Sequence, residues 1–118
     1  FPHGTATDKV VEDGDLITFD FGAIYRGYHS DITRTVAVGS LTDRRRFIYD
    51  SVLACNEHIE SIMKAGVKAC DMDAEARRFL KEKELDIWFI HALGHSWGSK
   101  FMKIPCWRRE ITPYWKRI

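Results

Sequence analysis

Apolar and polar positions change their spacing once along the chain. Leu16-Ile17-Thr18-Phe19-Asp20-Phe21 and Ser30-Asp31-Ile32-Thr33-Arg34-Thr35 are two runs rich in β-branched and aromatic residues. They flank Gly22-Ala23-Ile24-Tyr25-Arg26-Gly27-Tyr28-His29, where Gly27 beside Arg26 marks a tight turn, so the stretch predicts a β-hairpin. The second strand, about Ser30 to Val38, alternates Ile32, Arg34 and Val36 with Thr33, Thr35 and Ala37 and stops at Gly39. From there the period lengthens. Ile48, Val52, Cys55, Ile59 and Ile62 follow spacings of four and three, the stripe of one long helix, capped by Ser40 or Thr42 and ended by Gly66. A second helix, capped by Asp71 or Asp73 and running to about Glu82, carries a narrower stripe of Met72, Ala76, Phe79 and Leu80. Its Arg77 and Arg78, with Lys81 and Lys83, fall outside that stripe, and both helices read as packing elements. Ile87 to Ile90 is a short apolar run leading into His91-Ala92-Leu93-Gly94-His95-Ser96-Trp97-Gly98. At the other end, Pro2-His3-Gly4 reads as a loop or strand entry, and Asp13-Gly14-Asp15 supplies the turn before the first strand. The expected class is α+β, an antiparallel hairpin sheet packed by two helices.

Composition narrows the picture. The chain has 118 residues, 45% hydrophobic and 30% charged, enough for one domain with a sizeable core. A net charge of +1 argues for neither nucleic acid nor a membrane surface as partner, and no apolar run approaches a spanning length. Cys55, Cys70 and Cys106 form an odd, widely spaced set, unlike a disulfide framework or a zinc ribbon, and read as reduced thiols of a cytoplasmic protein. The first residue is Phe1, so the sequence is expected to begin partway through a longer polypeptide.

Candidate chemistry concentrates in the hairpin. With the turn centred on Tyr25-Arg26, Asp20 faces Asp31 directly; with the turn one step later, the two become diagonal neighbours on the same face. Directly opposed side chains have Cβ atoms roughly 4.5–5.5 Å apart, where like charges destabilise a sheet unless a cation lies between them. A divalent metal meets that need, and a pair of solvated carboxylates near a turn is the competing reading. His91 and His95 would share a face in a helix, but Gly94 and Gly98 favour an extended or turning backbone, and Ala92 in place of glutamate argues against a zincin helix. Carboxylates with imidazole suit manganese, iron, cobalt or zinc. Two unrelated loop histidines are the alternative, as is a structural loop role for His3.

Taken together, Pro2-His3-Gly4, Gly14-Asp15-Leu16, Asp20-Phe21-Gly22, Gly27-Tyr28, Ser30-Asp31-Ile32-Thr33-Arg34-Thr35, Ala76-Arg77 and His91-Ala92-Leu93-Gly94-His95 resemble proline-specific metallopeptidases, the Xaa-Pro dipeptidases and aminopeptidases P of the pita-bread (creatinase/aminopeptidase-like) fold. The resemblance runs from about residue 1 to 98, and the Thr-Arg-Thr ending with the His3 motif favours the proline-specific branch over methionine aminopeptidases. It implies that Asp20 and Asp31 are metal ligands, with Asp31 bridging, and that His95 binds one metal. It also implies that His3 and His91 line the substrate site and steady the reacting amide. The implied cofactors are two divalent ions (Mn, Co or Zn) and the implied substrate is a peptide with proline at its second position; a homo-oligomer is compatible with it.

The sequence departs from that pattern after about residue 96. Met102 stands where the family has a third histidine, and the first of two later glutamate ligands falls beyond Ile118, so three of five ligands are present. From Ser96 to Ile118 there are six Lys and Arg against one acidic residue, and three of the four tryptophans. A basic nucleic-acid tail would show a helical stripe or a repeated spacing, and this one shows neither. Back-translation of Ser99-Lys100-Phe101-Met102-Lys103, read one base earlier, permits Leu-Lys-Ile-His-Glu, the family's continuation. The expectation is therefore a partial catalytic domain over residues 1–98 and a divergent, out-of-frame tail over 99–118. Such a chain would be a fragment of a dinuclear Xaa-Pro peptidase, inactive alone. Its competitors are a non-catalytic binding module that keeps the scaffold and an active enzyme whose remaining ligands come from another chain.

Overall fold

A computed structural model describes residues 7–95. His3, Met102, Cys106 and the expected boundary at 98–99 lie outside them. The order is β1 (Leu16–Phe21), β2 (Ile24–Tyr25), β3 (Tyr28–His29), β4 (Ile32–Ala37), α1 (Asp43–Ile62), α2 (Ala69–Lys81) and a 3₁₀ turn over Asp86–Trp88.

β1 and β4 pair antiparallel with Leu16 opposite Ala37, Thr18 opposite Thr35, Asp20 opposite Thr33 and Phe21 opposite Ile32. β2 and β3 continue in the same register, Ile24 opposite His29 and Tyr25 opposite Tyr28. The turn is therefore centred on Arg26-Gly27. Both residues have positive φ, 50° and 81°, as a type I′ two-residue turn requires, and this matches the right-handed twist of the strands. Between the two ladders the pairing is pinched rather than continuous. The Ser30 amide donates to the Ala23 carbonyl at 2.8 Å, and the Ala23 amide donates to Ser30 Oγ at 2.9 Å. Gly22 lies so close to the other strand that a Cβ there would fall 2.0 Å from the Ser30 carbonyl oxygen.

One face of β1/β4 is polar: Thr18 and Thr35 hydroxyls lie 3.0 Å apart, and Asp20 and Thr33 lie on the same side. The opposite face carries Phe19, Phe21, Ile32 and Val36, all exposed, with Arg34 among them.

The core lies in the helical half. Cys55 and Ile59 of α1 pack against Met72, Ala76 and Leu80 of α2 and against Leu85, with Ile48, Ile62, Val67, Phe79, Phe89 and Leu93 around them. Ala76 is completely buried, so the helices approach most closely where the side chain is smallest. Thr42 is the N-cap of α1, its hydroxyl accepting from the Arg45 amide at 3.4 Å. The helix stops at Ile62, short of the expected end at Gly66, which instead shapes the following turn with φ 91°. Val52, placed in the apolar stripe by its spacing, is 46% exposed, while Ser51 is buried: the contact is centred on Cys55 and leaves Val52 at its margin. In α2 neither Asp71 nor Asp73 is the cap, because the helix begins at Ala69 after Lys68 and both aspartates are already inside it.

The base of the hairpin is tied to α1. The Gly14 amide donates to the Val38 carbonyl at 2.6 Å, the Val38 amide donates to Asp15 at 2.8 Å, and the Arg45 guanidinium donates to the Gly14 carbonyl. Among the described residues, no helix is long and apolar enough to cross a membrane.

Candidate metal centre

The observed register decides between the two arrangements the sequence allowed. Asp20 faces Thr33, and Asp31 is two positions further along the opposite strand. The two carboxylates are therefore diagonal neighbours on the polar side, a separation of about 7–8 Å between such positions. Asp20 is exposed and accepts a hydrogen bond from the Thr33 hydroxyl at 3.2 Å. Asp31 is half-buried at the pinch between the ladders, beside Gly22 and Ser30. Asp20 and Asp31, with Gly22, Ala23, Ile24, His29 and Ser30, line an open depression of about 350 Å³.

His95 reaches this place from the far end of the described chain. Its Nε2 lies 3.2 Å from Asp31 Oδ2, so the residue just before β4 and the segment after the 3₁₀ turn meet at a carboxylate and an imidazole. His91 does not join them directly: its Nδ1 lies 2.8 Å from the Ala92 carbonyl, and its ring meets Phe89 edge-on, with centroids 5.0 Å apart. The backbone from His91 to His95 is non-helical, as the glycines indicated.

Among the described residues, no three His, Cys, Asp or Glu side chains converge closely enough to hold a metal ion. What is assembled is a pair, Asp31 with His95, plus Asp20 on the same face and turned to Thr33. Carboxylate oxygens and a neutral imidazole are the donor set of a borderline or hard divalent cation, so the residues fit such an ion in chemistry.

Two residues that the sequence offered in other roles, Asp73 as a helix cap and Arg77 as part of a family motif, hold the segment carrying both histidines. Asp73 and Arg77 lie one turn apart on α2, with Arg77 Nε 2.8 Å from Asp73 Oδ2. Arg77 also donates to the Phe89 and His91 carbonyls, both at 2.8 Å, and Asp73 Oδ1 accepts the Leu93 amide at 2.8 Å. The periodicity had placed Arg77 outside the apolar stripe of α2. The available signal was their spacing of four, followed by an apolar run with no regular element of its own.

A second ionic cluster clasps α1 to α2. His58 Nε2 lies 2.8 Å from Glu75 Oε1, and Arg78 binds both oxygens of the same carboxylate at 2.6 and 2.9 Å. The Arg78 and then the His58 hydrogen bonds hold the Glu75 carboxyl down to about 2. In the core between the helices, burial raises the Cys55 thiol above its ordinary value.

Comparison with known proteins bears on the whole arrangement. The model of metallopeptidase family M24 matches residues 1–114. The Xaa-Pro dipeptidase of Pyrococcus furiosus is 43% identical over 104 residues, which cover 88% of this chain and 30% of the relative. Among solved structures, the prolidase from Pyrococcus horikoshii OT3 aligns with a TM-score of 0.83 at 40% identity, over 89% of this chain and 30% of that one. The Xaa-Pro dipeptidase from Bacillus anthracis gives 0.85 at 42%, over 95% and 32%. The chain thus spans about 30% of the length of the relatives it matches. With its family motifs in order on a hairpin and helix pair that superpose on prolidases, this chain belongs to metallopeptidase family M24 and is an α+β portion of the pita-bread fold.

Proposed function

We propose that the chain supplies the hairpin-and-helix portion of a proline-specific, dinuclear metallopeptidase that cleaves Xaa-Pro peptide bonds. The observation that carries this reading is the meeting of His95 with Asp31 at 3.2 Å, on the strand face that also bears Asp20. The names of the relatives, Xaa-Pro dipeptidases of about 40% identity, support the substrate class. In this reading Asp20, Asp31 and His95 hold divalent ions, manganese, cobalt or zinc, in a cytoplasmic enzyme. Bound cations supply an activated water and polarise the scissile carbonyl.

The remaining work belongs to the chain. Thr33, by donating to Asp20, fixes one carboxylate oxygen and leaves the other for a ligand. Gly22 lets the two strands close up beside Asp31 and so sets the position of that carboxylate. His91, with His3, orients the reacting amide and stabilises negative charge developing on its oxygen. In this reading the 118-residue polypeptide has negligible turnover by itself.

Calorimetric titration with Mn²⁺, alongside hydrolysis of an Xaa-Pro dipeptide, tests the reading. Weak Mn²⁺ binding that Asp31→Asn reduces, without turnover in the monomer, is expected. Equal Mn²⁺ affinity for both proteins overturns the metal centre. Metal-dependent turnover by the monomer, abolished in Asp20→Asn, overturns the inactivity. A chain that binds neither metal nor Xaa-Pro peptide is a binding module that has kept the scaffold.

A further inference from the structure

We infer that Asp73 and Arg77 are positioning residues for the histidine segment, a bracket on α2 that holds residues 89–93 in one conformation and thereby presents His95 to Asp31. The significance of the inference rests on the proposed metal centre; the bracket itself does not.

The segment after the 3₁₀ turn has no helix or strand to satisfy its backbone, which must therefore find other partners. Three consecutive alternate residues find them on two side chains. The carbonyls of Phe89 and His91 each accept a 2.8 Å hydrogen bond from a different nitrogen of Arg77. The amide of Leu93 donates at 2.8 Å to Asp73. Arg77 Nε is held by the other oxygen of the same carboxylate at 2.8 Å, so the two side chains immobilise each other before either touches the segment. The planar guanidinium suits this task because its donors diverge in a fixed fork, which a lysine cannot reproduce. The guanidinium also stacks over the Phe89 ring, 4.7 Å from its centroid, and Phe89 in turn meets the His91 ring. Arg77 thus sets both the backbone path and the aromatic surface on which His91 lies. Leu93, fixed by Asp73, packs against the helical core, and His95 follows two residues later at Asp31. The bracket is a second connection, beside the Arg45–Gly14 contact, between the well-packed helical half and the ligand-bearing hairpin.

The full chain is tested with Asp73→Ala, Asp73→Asn, Arg77→Ala and Arg77→Lys. Amide exchange at Leu93 and ¹⁵N relaxation over residues 89–95 read the bracket directly; the amides of Ala76 to Leu80, the thermal midpoint and Mn²⁺ affinity are recorded beside them. In Asp73→Ala and Arg77→Ala the 89–95 segment should become mobile and the Leu93 amide should exchange about 10-fold faster or more, with the α2 amides and midpoint close to wild type. Mn²⁺ affinity should fall about 10-fold in the same variants. Asp73→Asn, which keeps an oxygen for Leu93, should restore its protection, whereas Arg77→Lys should not restore order at Phe89 and His91. If the alanine variants do not fold, the comparison of Asp73→Asn with Arg77→Lys decides. Unchanged exchange and relaxation over 89–95 in the folded variants overturn the inference, as does loss confined to global stability with the segment still ordered. Should the wild-type chain take up no Mn²⁺, the metal centre fails while the Leu93 measurement still decides the bracket.

Discussion

Replacing Gly22 with alanine probes the point where the hairpin positions Asp31. A Cβ at this position would lie 2.0 Å from the Ser30 carbonyl oxygen, and an ordinary contact needs 3.4 Å, so the strands must part by at least 1.4 Å. The obstacle is backbone, not the end of a flexible side chain, and cannot swing away. The two hydrogen bonds that close the pinch, at 2.8 and 2.9 Å, lengthen beyond useful range if their partners move apart by that amount. Each contributes about 0.5–1.5 kcal/mol net, so the hairpin loses about 1–3 kcal/mol. At about 1.4 kcal/mol per factor of ten, the Ser30 amide should exchange roughly 5- to 150-fold faster. Helical amides around Cys55 and Ala76 should be unaffected, because the core they belong to draws no residue from the hairpin. Proton-exchange NMR on both proteins makes the measurement, with Mn²⁺ calorimetry as a second readout, in which affinity should fall as Asp31 is displaced. A Gly22→Ala protein whose Ser30 amide exchanges at the wild-type rate would refute the reasoning, since no rearrangement confined to side chains accommodates the new atom.

Other expectations follow from the same geometry. The folded-state value of Glu75 is depressed to about 2 from 4.5, so its clasp between α1 and α2 contributes above pH 4.5 and is lost as pH falls toward 2. Acid unfolding followed by circular dichroism should be less steep over that interval in Glu75→Gln, and an identical profile would show that the clasp is not felt. Cys70 is exposed and Cys55 is buried with a raised thiol value, so iodoacetamide at neutral pH should label Cys70 and spare Cys55 until the helices are unfolded. Peptide mass spectrometry reads this, and equal labelling of the native chain would contradict the packing of α1 on α2. For the tail, resequencing the DNA should reveal a one-base deletion near the Ser96-Trp97 codons, whose repair opens a longer frame carrying the family's remaining glutamates. The family match through residue 114 frames the opposite outcome, an in-frame tail with no such deletion.

Much of this fold was legible because it rests on local periodicity. The strand pattern of Leu16 to Phe21 and the helical spacing through Cys55 and Ile59 each follow from one element's own residues. The hairpin register was legible only to within one step. Gly27 demanded a turn, but whether it was centred on Tyr25-Arg26 or on Arg26-Gly27 depends on a non-glycine residue adopting positive φ, which Arg26 does at 50°. The contacts across elements were less visible. His58 and Glu75 come from different helices, and the ring of His58 also stacks on Phe79, 5.4 Å away; no periodicity reports such a pairing. Asp73 and Arg77 were hidden for a related reason: their partners are backbone groups of a segment whose path is itself set by them. Asp20, Asp31 and His95 were singled out by strand pairing and family resemblance, and the structure adds that Asp31 and His95 meet while Asp20 turns to Thr33.

The two faces of the hairpin also bear on how the chain behaves in solution. Within the described residues β1 and β4 pair only with each other, leaving an outer edge of backbone donors and acceptors on each. Leu16-Ile17-Thr18-Phe19-Asp20-Phe21 is a six-residue run of high β propensity with a single charge, and Phe19, Phe21, Ile32 and Val36 are 41–58% exposed. Open edges beside an apolar face are a template for strand addition and self-association. Arg34, opposite Phe19 on that same face and donating to the Thr33 carbonyl at 2.7 Å, places a fixed positive charge in the middle of the apolar row. Two copies stacked through this face would bring two such charges together, and that repulsion is the chain's own restraint on aggregation.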